Sequence, residues 1–189
     1  HGYGLIVQTV DLDPTRHHAW SKIKLVQNHL YENLHQDHQN RHQHQHRHWT
    51  WLLDLDTVIM NQNITLESMV DASFDMIISE DCHGLNAGSI LFQNTLWVND
   101  FLQSVYETDD VNFVPHVQEL REQAAIQYLY DRYRDAYERE NRIKVIHQKT
   151  FNSYPEETTL DPKCRQGRFE EGDFVVHLAG AHNKDEIFD

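Results

Sequence analysis

The segment Trp49–Asn61 constrains this chain more than any other, because it places two aspartates inside an apolar run. The aromatic and branched residues around Asp54 and Asp56 are typical of a β-strand. Side chains two residues apart share one face of a strand, so both carboxylates are expected to point the same way. Carboxylates beside an apolar interior are costly, and a divalent cation held by oxygen ligands is the usual solution. The segment therefore predicts a metal site.

The same triplet occurs a second time, at Asp11-Leu12-Asp13, and serves as an internal control. Pro14 and a polar segment follow it at once, so we interpret this copy as a strand exit and helix cap. An Asp-x-Asp triplet alone is thus weak evidence. The apolar setting distinguishes the copy at Asp54 and Asp56.

Composition excludes several partners. The chain has 189 residues and a net charge of −14, which argues against nucleic acid and against an anionic membrane face. No apolar run approaches the roughly 18 residues of a membrane span, and no signal peptide is visible. Because the chain begins with His1 rather than Met, it is expected to be a segment of a longer product.

Two features bear on the compartment. Cys82 and Cys164 permit one disulfide, although two unpaired buried thiols are an equally good interpretation. The triplet Asn63-Ile64-Thr65 matches an N-glycosylation acceptor, a pattern that often arises by chance. Together they lean towards the secretory pathway.

Strand and helix patterns alternate along the chain, which predicts α/β architecture. Strands are predicted at residues 3–10, 49–60, 74–79, 90–92, 143–147 and 172–180, and helices at residues 15–34, from Asn94 or Thr95 onwards, and at residues 117–139. Residues 35–48 contain only polar side chains, six of them histidines, and are expected to form a loop or disordered insertion. A loose metal-binding module is the alternative for this segment.

Three further positions remain open on the residues alone. Gly84 and Gly88 sit in a polar, small-residue stretch that would let a ligand approach the backbone. Glu122 and Gln123 have two interpretations, either as solvated helix surface or as residues of the functional site. His177 lies in an apolar strand, where a hydrogen-bonded core histidine is more common than a metal ligand.

The order of the segments resembles glycosyltransferase family 34, which holds fungal α-1,2-galactosyltransferases and α-1,6-mannosyltransferases and is related to plant xyloglucan xylosyltransferases. The resemblance covers nearly the whole chain outside residues 35–48. It is carried by His1–Tyr3, Ala19–Ile23, Trp51–Thr57 with Ile59–Asn61, Gly84–Ser89, Glu122–Ala125, Asn152–Pro155 and Gly172–His177 with Gly180.

The resemblance implies a GT-A type nucleotide-diphospho-sugar transferase fold, a Rossmann-like α/β/α sandwich with a mixed sheet. It implies one catalytic domain over residues 1–189 that is incomplete at its N-terminus, since the family's first strand is missing. Asp54, Asp56 and His177 would hold Mn²⁺, so the resemblance favours ligand over core histidine for His177.

The resemblance also implies roles for other residues. Asn86, Ala87 and Gly88 would lie against the donor sugar. Gln123 and Glu122 would be the catalytic residues: Gln123 would stabilise positive charge at the anomeric centre, with Glu122 as its acidic neighbour. The phosphate-binding residues would be Gly180 and Lys184, although His182 is an alternative to Lys184.

The implied function is a retaining, metal-dependent hexosyltransferase that uses UDP-galactose or GDP-mannose as donor and glycan chains of glycoproteins or cell-wall polysaccharide as acceptor. The implied location is the Golgi lumen, within a type II membrane protein whose anchor lies outside this segment. Partners in a glycosyltransferase complex are also expected. The alternative is a catalytically inactive paralogue that acts as a non-enzymatic subunit of such a complex.

Overall fold

The computed structural model describes residues 2–39, 48–108, 114–159 and 161–181. The chain forms two compact units. Unit 1 comprises His1–Thr50, Asp71–Met76 and Phe92–Ile143, and unit 2 comprises Trp51–Val70, Ile77–Leu91 and Lys144–Asp189. The prediction of one catalytic domain over residues 1–189 stays a prediction.

The strands form two sheets. They are Trp49–Leu53 (β1), Thr57–Ile59 (β2), Met76–Asp81 (β3), Gly84–Gln93 (β4), Ile143–His147 (β5) and Val175–His177 (β6). A four-stranded mixed sheet has the order β1-β4-β3-β5, and β2 pairs with β6 in a second, two-stranded sheet. Two residues join β3 to its neighbour β4, so these two strands form an antiparallel hairpin.

The two central strands of the larger sheet are buried along most of their length. Consecutive residues of β3 (76–79) and of β4 (85–93) are buried, so both faces of these strands are covered. Fully covered strands are typical of α/β proteins, in which apolar residues run without alternation. The α/β prediction is thereby confirmed.

The α-helices of the described residues belong to unit 1. They are Ser21–Gln39 (α1), Leu96–Glu107 (α2), Val117–Leu120 (α3) and Glu122–Arg139 (α4), with short 3-10 helices at His18–Trp20, Leu66–Ser68, Gln148–Thr150, Glu156–Thr159 and Arg165–Gly167 along the rest of the chain. Thr95 caps α2 by accepting a hydrogen bond from the backbone N–H of Val98, as predicted. Within the described residues, no helix is both long and apolar enough to cross a bilayer.

The first predicted helix is correct in kind but not in extent. Its apolar stripe is buried at Trp20, Ile23, Val26 and Leu30. The α-helix begins at Ser21 rather than at residue 15, after the 3-10 helix His18–Trp20. It continues to Gln39, so residues 35–39 are helical rather than part of a loop. Extending an existing helix by polar residues is inexpensive compared with starting one. Residues 40–47 of the predicted insertion lie outside the described residues.

The strand predicted at residues 3–10 is wrong. This segment has no regular secondary structure, and Leu5 and Val10 are largely exposed. A strand is stable only beside a hydrogen-bonded neighbour, and none of the described strands pairs with this segment.

The helix predicted at residues 117–139 is interrupted. Arg121 has a φ of 50°, outside the helical region, and separates α3 from α4. Leu96 at the start of α2 and Leu120 at the end of α3 are exposed, although both are apolar. Both lie at a helix end, where the apolar period of the sequence continues beyond the buried face.

Candidate functional site

Asp54 and Asp56 lie in a tight turn between β1 and β2, and not within one strand as predicted. The backbone N–H and the hydroxyl of Thr57 both donate to the carbonyl oxygen of Asp54, at 3.2 and 2.7 Å. The turn leaves Leu55 88% exposed. The side chain of Asp54 is 30% exposed and that of Asp56 is 26% exposed. Each carboxylate can therefore contact neighbouring protein atoms and remain accessible to a ligand.

His177 joins these carboxylates because β6 pairs with β2. Thr57 lies opposite His177 in the antiparallel register, and the N–H of Leu178 donates to the carbonyl oxygen of Asp56 at 2.8 Å. Nε2 of His177 is 3.3 Å from Oδ1 of Asp56 and 4.0 Å from Oδ2 of Asp54. The predicted ligands therefore lie together, although about 120 residues of sequence separate them.

The chemistry of this cluster fits a divalent cation. The ligand atoms of Asp54, Asp56 and His177 lie within 4.8 Å of one another. Two carboxylates and one imidazole match Mn²⁺ better than Ca²⁺, which prefers oxygen ligands alone. Within the described residues, the other group of three possible ligands is Cys82, His83 and Cys164, where a disulfide joins both sulfur atoms.

Gly88 makes room for the imidazole. A Cβ atom at this position would lie 2.1 Å from Cε1 and 2.5 Å from Nδ1 of His177, which no real structure permits. The carbonyl oxygen of Gly88 also accepts from the N–H of Asp54 at 2.9 Å. Gly88 therefore connects the aspartate turn with the histidine, and any larger residue would displace the ring.

Asn86 is held by a buried hydrogen-bond network. Its Oδ1 accepts from the N–H of Gly88 at 2.8 Å, and its Nδ2 donates to Oδ2 of Asp81 at 2.8 Å and to the hydroxyl of Tyr154 at 2.6 Å. Asn86 and Ala87 are buried in β4, where the sequence indicated only a polar stretch of small residues. Both amide hydrogens of Asn86 are thus used inside the protein, and its contact with a donor sugar stays a prediction.

Tyr154 closes this network next to His177. Its hydroxyl donates to Oδ2 of Asp81 at 2.6 Å, and its ring centroid is 6.0 Å from that of His177. Burial, and then the carboxylates of Asp81 and Asp56, raise the pKa of Tyr154 well above its usual value. The hydroxyl therefore stays protonated and acts as a donor.

A disulfide between Cys82 and Cys164 lies beside the network, which settles the alternative left open by the sequence. Cys82 is in the turn between β3 and β4, directly after Asp81. The disulfide fixes this turn to the irregular segment that follows Tyr154.

Glu122 and Gln123 belong to unit 1 and are described there. Glu122 begins α4 and is buried, with Oε1 2.6 Å from Nζ of Lys22. Glu122 is therefore buried in an ion pair and is not solvated helix surface, which was one of its two interpretations. Gln123 is half-buried, and the catalytic roles of both residues stay predictions.

The predicted phosphate-binding residues are only partly described. Gly180 has a φ of 70°, a conformation that favours glycine, and forms a turn after β6. Lys184 and its alternative His182 lie outside the described residues.

Sequence reasoning missed the residues that support the cluster. Asn152 and Tyr154 lay in a segment quoted for the resemblance without a role, and Asp81 was not singled out. Each is an ordinary polar residue in an irregular segment or at a strand end. Their partners are 68–73 residues away for Tyr154 and 25–73 residues away for Asn152, so no local spacing indicates them.

The fold is that of GT-A glycosyltransferases. The structure is similar to a crystal structure of a glycosyltransferase involved in the glycosylation of the major capsid of PBCV-1, with a TM-score of 0.56. The similarity covers 97% of this chain and 82% of that chain at 13% sequence identity, so it defines the fold alone. The predicted fold class is confirmed.

The sequence is more specific than the fold. The chain belongs to the galactosyl transferase GMA12/MNN10 family, whose signature matches residues 69–187. It is 25% identical, over 96% of its length, to a probable alpha-1,6-mannosyltransferase MNN10 from Saccharomyces cerevisiae. The chain spans 52% of that relative, about half its length. The predicted family membership is confirmed.

Proposed function

We propose that this chain is the donor-binding part of a metal-dependent, retaining hexosyltransferase that extends glycan chains of glycoproteins or cell-wall polysaccharide. The observation that carries the proposal is the cluster of Asp54, Asp56 and His177 in a chain of this family. The two candidate donors are UDP-galactose, which supplies galactose, and GDP-mannose, which supplies mannose. The family is described by galactosyl transfer, and the relative is described as a probable mannosyltransferase.

The cluster residues would hold Mn²⁺, with Asp54 and Asp56 as oxygen ligands and His177 as the nitrogen ligand. When bound, the ion supplies Lewis-acid stabilisation of the charge that builds on a leaving nucleoside diphosphate. Asp54 and Asp56 come from the turn between β1 and β2, and His177 comes from β6, which pairs with β2. The fold therefore sets the spacing of the three side chains before a ligand binds.

Other residues would bind and orient the donor sugar. We assign Gln123 to the anomeric centre, where its amide dipole would stabilise positive charge without moving a proton. Asn86, Ala87 and Gly88 would shape the sugar pocket, and Gly180 with Lys184 would bind phosphate. Retention follows from attack on the face from which the phosphate leaves, with the acceptor proton passing to that phosphate, so no carboxylate nucleophile is assigned. Glu122, which is paired with Lys22, would be the acidic neighbour of Gln123 in the catalytic site.

The location we propose is the Golgi lumen, within a type II membrane protein. The Cys82–Cys164 disulfide supports an oxidising compartment. Asn63 supports it as well, because its side chain is exposed in a turn, where a glycan could be attached.

An inactive paralogue within a glycosyltransferase complex is the second candidate. The observation that favours it is Asn86, whose amide hydrogens are both used by Asp81 and Tyr154. Such a subunit would keep the fold and lose the binding of Mn²⁺ and nucleotide.

Nucleotide-sugar screening tests the proposal. The chain is incubated with Mn²⁺ and a panel including UDP-galactose and GDP-mannose, and hydrolysis and transfer to oligosaccharides are measured. Combined Asp54→Asn and Asp56→Asn substitutions are expected to abolish turnover. The matched control is Asp11→Asn with Asp13→Asn, which alters the identical triplet outside the cluster and is expected to keep it. Turnover that survives the loss of Asp54 and Asp56 overturns the proposal.

A further inference from the structure

We infer that Asn152 is a positioning residue for the metal site, which sets the orientation and proton position of His177. The inference rests on the proposed metal-binding function and adds a residue to which no role has been given. It starts from the contacts of a side chain that is 0% exposed.

The amide of Asn152 is held at both ends. Its Nδ2 donates to Oγ of Ser79 at 3.0 Å, and its Oδ1 lies 2.9 Å from Nδ1 of His177. Ser79 is also fully buried, on β3. A buried amide with both ends bonded has little freedom to move, so it can fix the ring that it contacts.

The contact decides which ring nitrogen is available. Oδ1 of Asn152 can only accept a hydrogen bond, so Nδ1 of His177 carries the proton. The lone pair of the neutral ring is then on Nε2, the atom that faces Asp54 and Asp56. A lone pair directed at two carboxylates is repelled by them, whereas a cation between the three groups attracts them all. Asn152 therefore prepares His177 as a ligand.

Two other contacts make the ring position specific. The N–H of His177 donates to the carbonyl oxygen of Ser153 at 2.7 Å, which anchors the backbone. The backbone of Gly88 lies so close to the ring that a Cβ atom there would overlap it. Rotation of the ring is thus limited by packing, and Asn152 supplies the polar contact that selects one orientation. Groups that accept from the second nitrogen of a ligating histidine are a general feature of metal sites.

The test is the affinity for Mn²⁺, measured from the electron paramagnetic resonance signal of the free ion. Asn152→Leu removes the acceptor at similar size and is expected to weaken Mn²⁺ binding about 10- to 100-fold. Asn152→Asp keeps an acceptor for Nδ1 and is expected to restore affinity to within a few-fold of the wild type. The Asp54→Asn, Asp56→Asn protein measures the Mn²⁺ that the histidines of residues 35–48 bind. This amount is subtracted from the Mn²⁺ bound by each other variant.

Ser153→Ala is the matched control. Ser153 is as buried as Asn152 and adjacent to it, but its Oγ donates to Oδ2 of Asp173 at 2.9 Å. This variant is expected to lose thermal stability and to keep its Mn²⁺ affinity. If Asn152→Leu does not fold, Ser79→Ala replaces it, since it frees the far end of the amide and is expected to weaken Mn²⁺ binding several-fold.

The outcomes separate the inference from the proposed function. Equal Mn²⁺ affinity in the wild type and Asn152→Leu, or equal losses in Asn152→Leu and Asn152→Asp, overturns the role of Asn152 alone. A wild-type chain that binds no more Mn²⁺ than the protein lacking Asp54 and Asp56 carboxylates overturns the metal site itself and the inference with it.

Discussion

Nε2 of His177 lies 3.3 Å from Oδ1 of Asp56, and this contact exists because β6 pairs with β2. The two residues come from segments about 120 residues apart in sequence. The contact is therefore a property of the folded unit, and it joins a carboxylate turn with a buried imidazole. Changing a group that holds the ring is expected to weaken the proposed metal site before it unfolds the protein.

Gly88→Ala is expected to damage the metal site. The new Cβ would lie 2.1 Å from Cε1 of His177, so the ring or the strand must move, at a cost of about 1–3 kcal/mol of the free energy of unfolding. Mn²⁺ affinity should fall at least tenfold because a displaced ring no longer meets both carboxylates. Calorimetric titration and thermal unfolding measure the two effects. Gly4→Ala is the control, since a Cβ there meets nothing within 4 Å. Unchanged Mn²⁺ affinity in Gly88→Ala would contradict the placement of His177.

Alkaline pH is expected to destabilise the protein through Tyr154. The pKa of this group is raised above its ordinary value of 10.0 by burial and by Asp81, so the folded state keeps its proton when the unfolded state has lost it. The contribution is fully present below about pH 10 and declines as the pH rises further. Denaturant unfolding at a series of alkaline pH values shows this as a falling free energy of unfolding.

The Tyr154→Phe variant separates the contribution of Tyr154 to this pH dependence from the contributions of the other tyrosines. The variant should be about 1–3 kcal/mol less stable at neutral pH, because the carboxylate of Asp81 loses a donor. It should also show a shallower loss at high pH. Identical alkaline profiles for the wild type and Tyr154→Phe would rule out a buried, protonated Tyr154.

Reduction of the Cys82–Cys164 disulfide is expected to lower stability. The bond closes a loop with a sequence separation of 82, for which the chain-entropy relation gives about 4.5 kcal/mol. Thermal unfolding with and without a thiol reductant measures the difference. A protein with both Cys82→Ser and Cys164→Ser should unfold at the same temperature as the reduced wild type. Its unfolding temperature should not change when the reductant is added. An unfolding temperature of the wild type that does not respond to full reduction is the contrary result.

Asn63 is expected to carry an N-linked glycan when the chain passes through a eukaryotic secretory pathway. Asn63, the residue that would be modified, is exposed in a turn after β2. Glycosidase treatment should increase electrophoretic mobility. Thr65→Ser keeps the triplet and should keep this shift, whereas Thr65→Ala should abolish it. A secreted wild type without the shift would count against the accessibility of Asn63.

The sequence predicted the fold class because strand and helix patterns alternate along the chain. It also identified Asp54, Asp56 and His177 as neighbours, but through family resemblance and not through spacing. The alternation argument failed locally, since the aspartates occupy a turn between strands of two different sheets. A turn can present two carboxylates together as a strand can, so the sequence pattern does not distinguish the two.

Other errors have a common physical origin. Residues 3–10 have strand composition but no partner strand among those described, and α1 continues through polar residues that carry no apolar signal. The supporting groups, Asn152 and Asp81, act through hydrogen bonds to distant segments. Such contacts depend on tertiary structure, and local patterns in the sequence do not contain them.

Calorimetric titration of UDP and GDP, with and without Mn²⁺, tests the central claim most directly. The account predicts that the wild-type chain binds one of these diphosphates only when Mn²⁺ is present. It also predicts that binding is lost with Asp54→Asn and Asp56→Asn and kept with Asp11→Asn and Asp13→Asn. A folded wild-type chain that binds neither Mn²⁺ nor either nucleotide would contradict the account and favour the non-enzymatic subunit.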